Sequence, residues 1–399
     1  MYHPAKKILE RYAEVLVNFA LNSGKGVKKG EVVLLQVPES AKPMLLALNK
    51  AVLKAQAHPI IQYIPDGMSR EFFNLANQAQ IRFFPAKYLK GRLEEIDHSI
   101  MIIADTDKHE LEDIDPKQIM EKSKASKPYM DWRNEKESAG KFTWTLGLYG
   151  TKAGADEVGM SEEEYWAEII KACYLNDKEP VKTWQRIAHE VERIKNKLNS
   201  LKIERVRVES EHTDLTIILG INRQWMGGSG RNIPSFEIFI SPDCRGTEGH
   251  VYFDQPLYRY GNLIKDIYLE FKNGKVIKAK AKKGEKILKQ MIGNINADKV
   301  GEFSLTDSRL SKITKFMAET LFDENMGGRY GNTHIALGSA YQDSYPGDPS
   351  KVKKSDWQKM GYNESVVHTD IVSTENRVVT AWLPGGKTLV IYKEGKFTI

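Results

Sequence analysis

A histidine and an aspartate stand two residues apart, as His368 and Asp370, inside the apolar run Ser365-Val366-Val367-His368-Thr369-Asp370-Ile371-Val372. In an extended strand, side chains two apart leave the same face. The imidazole and the carboxylate then project together, with Val367 and Ile371 on the opposite face. Such a pair is half of a divalent-metal site. Further donors precede it at Glu237, Glu302, His334 and Tyr341. Each has an ordinary alternative. Glu237 sits in Ile233-Pro234-Ser235-Phe236-Glu237-Ile238-Phe239, where a charge must be edge-exposed or paired, because an unpaired buried carboxylate is costly. Glu302 precedes Phe303-Ser304-Leu305. His334 precedes Ile335-Ala336-Leu337-Gly338, where a lone histidine is commonly a satisfied core residue. Tyr341 alone reads as core. One shared cation site accounts for them more economically than separate explanations.

The stretches around these residues resemble a known family. Arg231 to Asp243 (Arg-Asn-Ile-Pro-Ser-Phe-Glu-Ile-Phe-Ile-Ser-Pro-Asp), then Thr247-Glu248-Gly249, is similar to the thermophilic aminopeptidases of the aminopeptidase T and aminopeptidase S type. So are Gly301-Glu302-Phe303-Ser304-Leu305, Leu321-Phe322-Asp323-Glu324-Asn325, His334-Ile335-Ala336-Leu337-Gly338 and Asn363 to Asp370. Order and spacing agree over about residues 200 to 375, and the N-terminal half agrees in texture only.

The resemblance implies a metallo-aminopeptidase acting on short peptides with a free N-terminus. It implies two divalent ions (zinc, cobalt, manganese or magnesium) on Glu237, Glu302, His334, Tyr341, His368 and Asp370, and a homodimer. Either Glu237 or Glu302 would bridge the metals. Glu324 would meet the substrate's α-amino group or shuttle a proton, with a structural role equally open. Tyr341 would be a ligand or an oxyanion donor. The chain departs from the family pattern at Ser235-Phe236, where a Thr-Gly pair is common, and in a longer segment between Asn325 and His334 carrying Gly327, Gly328 and Gly331. These departures bear on substrate preference more than on metal binding. Two rivals remain. Ring-cleaving dioxygenases resemble the same scaffold with one iron(II) on a reduced ligand set. A non-catalytic peptide-binding protein is the other. The full six-residue set argues against both.

The elements that must position these groups divide into two textures. A chain of 399 residues exceeds one simple core. Residues 1–200 read as an α/β domain with a mainly parallel sheet covered by helices; residues 201–399 read as a mixed α+β metal-binding domain. In the first half, strands at 32–37, 59–64, 100–105 and 142–148 alternate with helices at 1–24, 41–55, 69–78, 161–175 and 182–198. Ser161 followed by Glu164 forms a capping-box pattern. The run Ile100-Met101-Ile102-Ile103 predicts a strand buried on both faces. After residue 200, strands at 202–208 and 215–219 and turns such as Lys272-Asn273-Gly274 and Pro384-Gly385-Gly386 indicate antiparallel pairing.

A charged fraction of 28% and a net charge of +6 fit a solvated surface with interleaved signs. There is no zinc-finger spacing and no basic stripe with aromatics, so no nucleic-acid partner is expected. No apolar run is long enough to span a bilayer, and the helical pattern at 1–24 is broken by Lys6, Lys7, Glu10 and Arg11, unlike a signal peptide. Two cysteines, Cys173 and Cys244, fit a reducing cytoplasm better than a disulfide framework.

Three motifs imitate chemistry. Gly386-Lys387-Thr388 lacks the upstream glycine of a phosphate loop and reads as a hairpin turn. His189-Glu190 lacks the second histidine of a metalloprotease helix, Arg193 standing there. Gly227-Gly228-Ser229-Gly230 reads as a loop that brings backbone close to something, substrate included.

Overall fold

The computed structural model describes residues 2–259 and 262–399. They form two compact units: Met1–Gln185 with Ser229–Ile233, and Arg186–Gly228 with Pro234–Ile399.

The first unit is built on a parallel sheet. The strand Val32–Pro38 pairs with His58–Ile64 on one side and with His98–Ile103 on the other, and Thr143–Leu148 follows. Parallel neighbours need crossovers, and helices such as Lys42–Lys54 supply them. The short strand Asn232–Ile233 closes the sheet beside Leu146 and Gly147. This splits the apolar segment around Glu237: its first residues join this sheet, whereas Glu237–Ile240 is a strand of the second unit. Met101 remains 42% exposed, so the strand predicted to be buried on both faces is buried on one along its middle.

Helix Glu162–Ala172 begins as its capping box requires, with the Glu164 amide donating to Ser161 Oγ and the Ser161 amide to Glu164 Oε2. The N-terminal helix is shorter than its periodicity suggests. Lys6–Val15 passes into a π-turn at Leu16–Ala20, and Asn22 and Ser23 adopt left-handed backbone. Helix Pro116–Ser138 has no counterpart in the hydrophobic pattern because it buries no residue; Asp115 Oδ1 caps it by accepting from the Lys117 amide.

The second unit holds a nine-stranded and a five-stranded sheet. The long hairpin Asn262–Lys272 and Lys275–Lys283 turns at Asn273 and Gly274, both at positive φ, as a two-residue hairpin turn demands. Gly386-Lys387-Thr388 indeed leads out of the turn between Val378–Trp382 and Thr388–Lys393. Glu190 pairs with Arg193 on helix Pro180–Leu201.

The five-stranded sheet runs in the order His368–Ser373, Asn332–Gly338, Val300–Thr306, Glu237–Ile240 and Met226–Gly227, all antiparallel. One face is apolar: Ile238, Ile240, Phe303, Leu305, Ile335, Leu337 and Ile371 are buried. On that side Ile335 and Thr333 share a small gap with Val208, Leu215 and Val251 of the larger sheet, so the two sheets are stacked. Both cysteines are buried and unbonded to each other. Among the described residues no helix is long and apolar enough to cross a membrane.

Candidate metal centre

The register of the five-stranded sheet decides where the polar side chains go. Side chains of directly opposed residues share a face, and residues two apart along one strand share it too. Glu302 is opposite Ala336, and Ala336 is opposite Asp370. Ser304 is opposite both His334 and Phe239, and Thr306 is opposite Glu237. Gly338 is opposite His368. Counting by twos puts Glu237, Glu302, His334, His368 and Asp370 on one face, opposite the apolar core. The alternation of His368 and Asp370 read from the sequence is the alternation observed.

These side chains converge. His334 Nε2 lies 3.1 Å from Glu302 Oε1, 3.5 Å from Glu237 Oε2 and 3.9 Å from Asp370 Oδ1. His368 Nε2 lies 3.6 Å from Asp370 Oδ1 and 3.8 Å from the other Glu302 oxygen, Oε2. Donor atoms of Glu237, Glu302 and His334 all fall within 4.8 Å of one another. The cluster is sheltered, with His334 fully buried and Glu302 3% exposed.

Each imidazole is tied at its far nitrogen. His334 Nδ1–H donates to the Glu324 carbonyl at 3.0 Å, and His368 Nδ1–H donates to the Ser339 carbonyl at 2.8 Å. That leaves both Nε2 atoms facing carboxylates. Backbone ties of this kind fix the orientation of metal-binding histidines.

Tyr341 stands at the rim, 46% exposed, its ring 4.6 Å from that of His368. Glu324 is buried beside the cluster and braces it: its carbonyl accepts from His334 Nδ1 and from Asn332 Nδ2, and its Oε1 lies 3.4 Å from Asn325 Nδ2.

The chain matches the model of the thermophilic metalloprotease (M29) family over residues 5–397. It belongs to that family. Three curated relatives are aminopeptidases over their whole lengths. Aminopeptidase PepS of Streptococcus thermophilus is 28% identical, with 99% of this chain and 98% of the relative covered. Aminopeptidase AmpS of Bacillus subtilis (strain 168) is 28% identical, with 98% of each covered. Aminopeptidase T of Thermus thermophilus is 26% identical, with 99% of each covered. The solved structure of wild-type AmpT from Thermus thermophilus has the same fold: its TM-score is 0.85 at 24% identity, over 99% of this chain and all of that one.

This member of the thermophilic metalloprotease family is therefore an enzyme, a metallo-aminopeptidase of the exopeptidase class, and the dioxygenase reading is not favoured. Membership brings a requirement for divalent metal, and the donor set fits it. Three carboxylates and two oriented imidazoles are the ligands that borderline divalent ions take. On the same face, the buried Ser304 Oγ and Thr306 Oγ1 have no hydrogen-bond partner.

The electrostatics of the metalloprotease cluster agree. Burial alone would lower the histidines, but Glu302, Asp370 and Glu237 overcome it and hold His334 at about 9. Asp370 and Glu302 likewise outweigh burial and hold His368 at about 9. Burial, then the Glu302 charge, pushes Glu237 upward. Asp370 resists burial and is held low by His368, His334 and Arg259. One edge of the Tyr341 ring is open, yet desolvation at the hydroxyl and then the charges of Glu302, Asp370, Glu324 and Glu237 raise its phenol well above the usual range. Without a cation, protons on the two imidazoles offset part of the negative charge around them.

Sequence reasoning missed the supports. Asn325 Oδ1 accepts from the Phe236 amide at 2.7 Å and its Nδ2 donates to the Leu321 carbonyl at 3.2 Å, fixing the entry to the Glu237 strand. Asn325 falls inside a segment that resembles the family, and that was the signal available. Arg259 donates to the His368 carbonyl at 3.4 Å from a short strand that carries no pattern. Gly227 makes the close approach expected of its glycine-rich loop, but to the Glu237 carbonyl, where a Cβ would come within 2.5 Å.

Proposed function

We propose that this metallo-aminopeptidase holds two divalent ions and removes the N-terminal residue of short peptides. The observation that carries the reading is the pair of histidines, each tied by Nδ1 to a backbone carbonyl and each facing a carboxylate through Nε2. His334 and His368 would each serve one ion, with Glu237 and Asp370 as terminal carboxylates. Glu302 would be shared between the ions, a role supported over Glu237 by its two oxygens facing different histidines. Tyr341 completes the set as a rim ligand or as a donor to the developing oxyanion.

Held by these residues, such ions would supply an activated water and polarise the peptide carbonyl. The chain's own groups do the rest. The carboxylates fix the ions and offer charge to the substrate's ammonium group, which restricts cleavage to the first peptide bond. Glu324 is the candidate for that contact or for carrying the proton to the leaving amine, while its carbonyl keeps His334 aligned. Zinc, cobalt, manganese or magnesium suits this donor set. A homodimer in the cytoplasm, with no nucleic-acid or membrane partner, completes the reading.

The test combines metal quantitation with turnover of Leu-p-nitroanilide. Two ions per chain and activity abolished by EDTA, then restored by added metal, are expected. Full activity after EDTA treatment, or a single iron per chain, would overturn the reading. Light scattering tests the dimer.

A further inference from the structure

We infer that Phe239, with Met226 beside it, forms the wall that selects large apolar side chains at the substrate's N-terminal residue. The inference rests on the aminopeptidase reading and deepens it.

Phe239 lies two residues beyond Glu237 on the same strand, so both side chains leave the ligand-bearing face. Its cross-strand partners are Ser304, between Glu302 and Thr306, and Met226 on the edge strand. Opposed side chains share a face, so Met226 extends the apolar surface outward from Phe239. On the inner side, the Phe239 ring centroid is 6.0 Å from that of Tyr341, whose ring in turn lies 4.6 Å from that of His368. An unbroken run of apolar and aromatic surface thus leads from the sheet edge to the histidine.

Burial separates this surface from the core. Along the same strand Ile238 and Ile240 are 0% and 2% exposed, whereas Phe239 and Met226 are only half-buried. Their faces turn to the side on which the charged cluster sits. Apolar surface beside a hydrolytic centre is what a specificity pocket offers: it gains binding energy from an apolar side chain and none from a small or charged one. A substrate placing its first carbonyl and its amino group at the cluster has its first side chain as the neighbouring substituent, and Phe239 is the nearest apolar residue on the Glu237 strand to receive it. An acidic side chain would lose hydration against this apolar surface without gaining a partner.

The experiment compares kcat/KM for Leu-, Phe-, Ala- and Glu-p-nitroanilide in the metal-loaded wild type, in Phe239→Ala and in Met226→Ala. Wild type should favour leucine and phenylalanine over alanine by about tenfold or more, the range a hydrophobic pocket supplies. Phe239→Ala should cut the Leu-to-Ala ratio about tenfold, and Met226→Ala should cut it less. Phe239→Leu should restore most of it. General damage to the fold scales all substrates together and leaves the ratio standing. Ratios unchanged in both alanine variants overturn the inference while the aminopeptidase reading survives. A wild type with two metals that turns over none of the substrates overturns both.

Discussion

Glu302 Oε1 approaches His334 Nε2 to 3.1 Å while its second oxygen turns toward His368, so one carboxylate addresses both imidazoles. A terminal ligand has no need of that placement. Glu302→Gln keeps the shape but removes the negative charge and leaves one ligating oxygen instead of two. On the proposed two-ion reading, metal content should fall to one ion per chain or none, and kcat/KM should drop by at least about a hundredfold, in line with losses at metal sites. Elemental analysis of the dialysed variant checks the first, and anilide turnover the second. Two retained metals with wild-type turnover would remove Glu302 from the bridging role.

Metal uptake should release protons. In the metal-free protein both histidines are held at about 9, against an ordinary value of 6.5, by the surrounding carboxylates. A raised folded-state pKa contributes to stability fully below 6.5, and that contribution fades as pH rises through about 9. A metal takes only neutral imidazole, so the direction reverses for binding: affinity should climb with pH between 6.5 and 9. Calorimetry at pH 7.5 in two buffers of different ionisation heat should show proton release of about one to two per chain. Heats independent of buffer would refute this account of the charge balance.

Asn325 should matter more than its neutral side chain suggests. It is fully buried and joins the Phe236 amide to the Leu321 carbonyl. Asn325→Ala strands both groups, at a cost of about 1–3 kcal/mol each way. Urea denaturation should show that loss, and the loosened entry to the Glu237 strand should lower kcat more than it raises KM. Wild-type stability in this variant would show that the brace is dispensable.

How far the site was legible follows from which forces are local. His368 and Asp370 could be placed on one face because alternation along a strand depends on backbone geometry alone. Glu237, Glu302 and His334 stood out as single charges in apolar runs for the same reason. The pairing of these strands could not be read, since register across long connections depends on how distant apolar faces meet. Without it Glu237 and Glu302 looked equivalent. Asn232–Ile233 is the same lesson in reverse: a two-residue strand has no pattern, and its sheet is chosen by neighbours. Helix Pro116–Ser138 left no periodic trace because none of its residues is fully buried, and Tyr129 and Trp132 are only partly covered where they pack against Leu34, Leu93, Ile96 and Phe142. Phe239 belongs to the same apolar run as Ile238 and Ile240, and only the contrast with those two sealed residues marks it.

Gly338 offers a test of how the His368 side of the centre is held. It sits opposite His368 with φ at +106°, a conformation that side-chain-bearing residues rarely adopt. A Cβ there would collide with the Val367 carbonyl, immediately before His368. The Gly338 backbone is also committed on both sides: its amide donates to the Lys299 carbonyl at 2.8 Å, and its carbonyl accepts from Asn363 Nδ2 at 2.6 Å. Gly338→Ala therefore cannot relax by moving the strand without breaking those bonds. It should cost about 1–3 kcal/mol, the range for backbone forced into a sparsely populated region. The His368 strand should yield first, because the clash falls on its entry residue, whereas Asn325 and Glu324 hold the other side independently. Thermal unfolding should register the lost stability, and titration of the metal-free protein should show one weakened site and one near normal. Equal weakening of both sites would mean that the two histidines are held as a single rigid unit.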